Sequence, residues 1–148
     1  KSGEQVQAHG ILKQLNMTSF NSDTYSLSTG QKEVSDFLAQ PANLHEILPQ
    51  ERIENWKIDG DQCSFKIKGL ADIALKLENA TDSEVTYVST SEKPFPFKLI
   101  VMLNEAEGGS SISAKFDADV NSFMGMMLKT PLTNFLNSLG KALNRKYS

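Results

Sequence analysis

The stretch 121–147 constrains what the rest of the chain can fold into. Val120, Met124, Met127, Leu128, Pro131, Leu132, Phe135, Leu136, Leu139, Ala142, Leu143 and Tyr147 recur at steps of three and four. On a helical wheel they form one broad apolar face, opposite Thr130, Thr133, Asn137, Lys141 and Asn144. The spacing predicts a single amphipathic helix of about seven turns. A helix with so wide an apolar face must lie on something large, and the middle of the chain supplies strands. The expectation is a chamber between a sheet and this helix.

Those strands are legible from alternation. Phe20, Tyr25 and Leu27, set among serines and threonines, read as a first strand over 18–28. Ser28-Thr29-Gly30 breaks it, and Ser28 or Thr29 can cap a helix carrying Val34, Phe37 and Leu38. Pro41 ends that helix. Asn43 opens a second short one with Leu44, Ile47 and Leu48, which Pro49 ends. Six strands follow. Asp59-Gly60 joins the first two as a hairpin. Ala71, Ile73, Leu75 and Leu77, then Phe97, Leu99, Val101 and Leu103, then Ile112, Ala114, Phe116 and Ala118, each mark the dry face of a strand. Short connections make the sheet an antiparallel meander, and a sheet of seven strands curls.

At 148 residues with 39% hydrophobic content, the chain has one domain's worth of core. Residues 1–16 do not match the rest: they carry two glycines and one short apolar cluster, Ile11, Leu12 and Leu15. They read as a grafted or expression-derived extension, with the domain occupying 17–148. A peripheral helix over 10–15, docked on a groove, is the alternative. The net charge of −3 argues against nucleic acid as a partner. No apolar run is long enough for a spanning helix, so integral membrane association is not expected. Cys63 is the one cysteine, which excludes an internal disulfide and favours a reducing, cytoplasmic setting.

Specific residues carry a resemblance. Phe37-Leu38 with Pro41 and Asn43-Leu44, Ile47-Leu48-Pro49, Cys63-Ser64-Phe65 with Ile67 and Gly69, Pro94-Phe95-Pro96-Phe97, and the run from Asp119 through Leu136 resemble small, uncharacterised bacterial members of the helix-grip superfamily. That superfamily, SRPBCC, embraces START domains, birch-pollen-allergen-like proteins and polyketide cyclase-like proteins. The resemblance implies an α+β fold: a curved seven-stranded antiparallel sheet on a long C-terminal helix, with two short helices after the first strand. It also implies a cavity for an apolar or amphipathic small molecule. Its motifs punctuate structure and are not catalytic signatures.

Candidate chemistry is sparse. The two histidines, His9 and His45, are far apart in sequence, and His45 beside Glu46 reads as solvated surface. No metal-ligand spacing, nucleophile motif or phosphate loop occurs, and no cofactor is expected. Cys63 is in phase with Phe65 and Ile67, an inert pocket or core position. Asp117 and Asp119 alternate outward, where they would be solvated. Trp56, Phe65, Tyr87, Phe97 and Phe116 are core aromatics or an apolar pocket lining with Tyr87 and Cys63 as its polar handles. Met124, Met126 and Met127, with Gly125 between, are core filler or an adaptable wall. A ligand would touch Met124, Met127 or Leu128 on the helix and Phe97, Leu99 or Phe116 on the sheet.

Three functions stay open. The first is binding or carriage of an apolar molecule without catalysis. The second is a protein-interaction adaptor, for which Ile100 and Met102 on the outward phase of one strand would supply a patch. The third is a cyclase- or hydratase-like enzyme using Tyr87 or a carboxylate as its acid.

Overall fold

The structure, a computed structural model, describes residues 17–148; the expectations for residues 1–16 lie outside that range. The elements are β1 (Met17–Asn21), β2 (Tyr25–Leu27), α1 (Gln31–Leu38), a short 3-10 turn (Pro41–Asn43) and α2 (Leu44–Ile47). Then come β3 (Ile53–Asp59), β4 (Gln62–Ile67), β5 (Ala71–Ala80), β6 (Glu84–Ser89), β7 (Phe97–Ala106), β8 (Gly109–Asp119) and α3 (Ser122–Lys146). The sheet is antiparallel throughout, in the order β1-β8-β7-β6-β5-β4-β3, and β2 also pairs with β8. This is the expected α+β helix-grip architecture. The seven positions hold eight strands because the first strand is interrupted after Asn21 and resumes at Tyr25.

Local chemistry explains most boundaries. Gly60, at φ 63°, supplies the left-handed turn between β3 and β4, with Asp59 opposite Gln62. In β7 and β8 alternate side chains are buried, so Leu99, Val101, Leu103, Ile112, Ala114 and Phe116 all enter the core. The caps differ in part from expectation. Gly30, not Ser28 or Thr29, occupies the N-cap of α1. Asn43 precedes α2, but its side-chain amide donates to the Phe37 carbonyl at 2.9 Å instead of capping the helix.

Helix α3 lies across the concave face. Asn121 caps it, its side-chain oxygen accepting from the Met124 amide at 2.8 Å. It runs unbroken through Pro131 to Lys146. Leu128, Leu132, Phe135, Leu136, Leu139 and Leu143 form the buried stripe. Two glycines on the same side let the helix approach the strands. A Cβ on Gly125 would sit 3.3 Å from Thr18 Cγ2, and one on Gly140 would collide with the Tyr25 ring. Tyr25 Oη donates to Asn137 at 2.7 Å, and the Asn144 amide donates to the Ser26 carbonyl at 2.6 Å. At the far side of the sheet Phe65 of β4 stacks on Phe135. One helix thus touches both β1 and β4, which requires the sheet to wrap around it. Among the described residues, no helix is long and apolar enough to cross a membrane.

Candidate functional site: the sheet–helix interior

Helices α1 and α2 close one end of the interior against the C-terminal half of α3. Between them lies an enclosed space bounded by Leu38, Leu44 and Ile47 of this lid, by Tyr87, Leu99, Val101, Ile112 and Ala114 of the sheet, and by Leu139, Gly140 and Leu143 of α3. Its free volume is about 10 Å³. A water needs roughly 10–15 Å³ of such volume, so the space holds one water at most. The lid is fastened from outside. Lys146 Nζ donates to Glu46 at 2.7 Å and stands 4.6 Å above the Phe37 ring, whose edge meets Tyr147. Ser28 N donates to the Tyr147 carbonyl at 2.7 Å.

Among the described residues, two titratable groups are buried in the interior, Tyr87 and Cys63. Tyr87 is almost fully buried, and its hydroxyl donates to the Leu38 carbonyl at 2.6 Å. That bond satisfies the hydroxyl and ties β6 to the lid. Burial, with a smaller contribution from nearby Cys63, pushes the Tyr87 phenol well above its ordinary range. Burial pushes the Cys63 thiol up to about 12, so it stays protonated and unreactive at neutral pH. Neither group is poised for proton transfer. Among the described residues, no three His, Cys, Asp or Glu side chains converge as a metal ion would require.

The nine residues expected to line a ligand site separate into four groups. Tyr87 and Leu99 line the enclosed space. Phe97 and Phe116 stack on each other, 4.8 Å apart, and Phe95 meets both edge-on. They fill the interior near the start of α3. Phe65 and Trp56 belong to a ladder of rings running from His45 through Trp56 and Phe65 to Phe135. His45 lies flat on Trp56 at 4.7 Å and is half-buried, whereas its sequence neighbours suggest solvated surface.

The last group, on α3, brings corrections. Leu128 is buried, but Met124 is 39% and Met127 60% exposed. The apolar face drawn on the wheel is too wide. The seated stripe centres on Gly125, Leu128 and Leu132, and a step of one residue turns a helix by about 100°. Met127 is one such step from Leu128, and Met124 one step from Gly125. Gly125 opens no space in the sheet–helix interior; it lets the helix approach Thr18. The enclosed space of the interior lies at the C-terminal half of α3, not at its methionines. The lid leucines and Leu139-Gly140 escape a site prediction from sequence because their helical spacing says only that one face is dry. The glycine embedded in that leucine run is the available signal.

With this geometry in place, the likeness to solved structures is informative. No family model and no curated protein sequence matches the chain. Solved structures do. An uncharacterised protein from Bacillus thuringiensis superposes with TM-score 0.63 at 16% identity, over 88% of this chain and 98% of its own. A START superfamily protein from Mycobacterium smegmatis gives TM-score 0.63 at 12% identity, over 88% and 96%. The di-domain ARO/CYC StfQ from the steffimycin biosynthetic pathway gives 0.66 at 8% identity, over 90% of this chain and 52% of its own. The chain therefore has the helix-grip fold shared by START-like and aromatase/cyclase domains. At these identities the likeness speaks of fold.

Proposed function

We propose that this protein binds an apolar or amphipathic small molecule between its sheet and α3, without turning it over. The observation that carries the reading is the enclosed space beneath α1 and α2, whose lining side chains are apolar except for the Tyr87 hydroxyl. The fold it shares with a START superfamily protein supports the reading, given the cavity that the helix-grip resemblance implies. The lack of a poised acid or base inside, among the described residues, favours binding over catalysis. The lone buried thiol suits a reducing compartment such as the cytoplasm.

The volume sets a condition. Sites for organic ligands enclose roughly 300–1,000 Å³. Binding here requires α1 and α2 to move away from α3, loosening the Lys146–Glu46 pair at their outer edge. No Lys, Arg, Asp or Glu lines the space, so a ligand lodged wholly inside is uncharged, and a charged head group would have to remain at the mouth. The test is an NMR titration with a neutral long-chain alcohol and a hydrophobic dye. Saturable shifts are expected in the methyls of Leu38, Leu99 and Leu139. Ala114→Leu, which fills the space, should abolish them. No saturable binding, or equal binding by the variant, refutes the proposal.

A second reading rests on its own observation. Phe123, Met126 and Met127 are 71%, 79% and 60% exposed at the start of α3. So apolar a surface favours a contact with another macromolecule. Ile100 and Met102, expected to form such a patch, are half-buried.

A further inference from the structure

The two edges of the sheet are built differently. At one end β3 carries Glu54, Lys57 and Asp59, and its pairing with β4 shifts register between Glu54 and Lys57. Asn55 there stands at φ 60°, a left-handed residue that bends the edge. Charges and a bulge are the ordinary devices that stop another chain from pairing with an edge strand. At the other end β1 reads Met-Thr-Ser-Phe-Asn, with no charge and no proline, and its register with β8 is unbroken.

The polar groups that β1 offers can be assigned. Ser22 N donates to the Ala114 carbonyl, and Asp119 N donates to the Pro96 carbonyl. Even-numbered residues of β8 therefore bond toward β1, and odd-numbered ones toward β7. Because Thr18 pairs with Ala118 and Phe20 with Phe116, those two residues of β1 bond inward. Alternation along an antiparallel ladder then points the N–H and C=O of Ser19 and Asn21 away from the sheet.

Beside this edge runs a groove of about 600 Å³ between β1 and α3. Its far wall is Gly125, Met126, Lys129 and Thr133. Met126 is the most exposed large apolar residue described, and Phe123 and Met127 continue the apolar surface around the helix. Among the described residues lining the groove, Lys129 carries the one charge, and it pairs with no described carboxylate. Among the described residues, an unguarded strand edge and an apolar helix wall thus meet in one concavity.

We infer that this groove receives an extended peptide segment of a partner protein as an added strand on β1. The partner's alternate apolar side chains pack against Met126 and Gly125, and a carboxylate meets Lys129. Main-chain bonds to Ser19 and Asn21 hold the strand, and the helix wall selects its side chains. The groove's single positive charge, Lys129, favours an acidic-apolar segment over a second copy, since a two-fold pairing about β1 would bring two Lys129 side chains toward each other.

The probe is an acetylated heptapeptide alternating valine and threonine with a central aspartate, added to the full chain. Amide exchange is read by NMR. Exchange at Ser19 and Asn21 should slow tenfold or more, while a twin peptide N-methylated on its bonding edge has no effect. Met126→Glu removes the apolar wall and sets a negative charge against the peptide's aspartate at an exposed position. Ser19→Pro removes an outward donor and leaves the Thr18 and Phe20 bonds to β8 intact. Each should weaken binding tenfold or more. Protection that maps to β3, or binding unchanged in Met126→Glu, overturns the proposal. So does protection already present without peptide: a dependence on protein concentration would identify the occupant as a second copy, and independence would identify it as residues 1–16.

Discussion

Gly125 and Gly140 offer the same substitution twice on one helix, with opposite expected outcomes. Replacing glycine by alanine inside a helix stabilises by about 1 kcal/mol through backbone entropy. At position 125 the new Cβ would lie 3.3 Å from the Thr18 methyl and 3.5 Å from its hydroxyl, a contact relieved by a shift of a few tenths of an ångström. Most of the gain should survive. At position 140 the Cβ would fall on the Tyr25 ring, well inside contact distance of two ring carbons. That ring cannot simply swing aside, because its hydroxyl is held by Asn137. Overpacking costs about 1–3 kcal/mol, and losing the hydrogen bond about 0.5–1.5 kcal/mol more. After subtracting the propensity gain, Gly140→Ala should destabilise by roughly 0.5–3.5 kcal/mol. Urea denaturation of the full chain measures both variants. In a Tyr25→Ala background the clash is gone, and Gly140→Ala should become stabilising, a coupling that a double-mutant cycle reads directly. If Gly140→Ala stabilises the wild type, or the Tyr25→Ala background does not change its sign, α3 is not seated on β2 as described.

Two more perturbations separate the interior from the periphery. Cys63 should resist a thiol reagent at pH 8 until the protein unfolds. Its ordinary pKa of 9.0 rises to about 12 in the folded protein, so between those values the unfolded chain releases a proton that the folded chain keeps. The stability contributed by the neutral thiol is complete below pH 9 and is lost as pH climbs toward 12, and Tyr87 acts in the same direction. Denaturation from pH 8 to 11 should show the decline, shallower in Cys63→Ala; fast labelling of native protein at pH 8 would contradict the burial. Residues 1–16 are expected to add nothing to the core. A chain starting at Met17 should keep its Tm within a few degrees, because about 1 kcal/mol corresponds to roughly 2–8 °C for domains of this size range. Collapse of folding in that chain would show that Ile11, Leu12 and Leu15 are docked.

Periodicity is a property of local sequence, and the features that depend on it are legible in the order of residues alone. The 3.6-residue recurrence from Leu128 to Leu143 defines α3, and strict alternation in 97–103 and 112–118 defines β7 and β8 with their buried faces. Pro41, Pro49 and Gly60 place boundaries through their own backbone limits. Inertness of Cys63 follows from its phase with Phe65 and Ile67. Other features depend on which surfaces meet across long sequence separations, and local pattern does not encode that. Met124 and Met127 fall at helical spacing yet face solvent, because the sheet covers only the narrower arc centred on Leu128. His45 and Trp56 become stacked partners only when α2 is laid beside β3. Gly125 proves to be the point of approach to Thr18, 107 residues away in sequence. The size of the interior is likewise decided by tertiary structure. Whether facing side chains leave a cavity or close it to about 10 Å³ depends on how far the lid, sheet and helix stand apart, and that separation is set by packing of all three layers together.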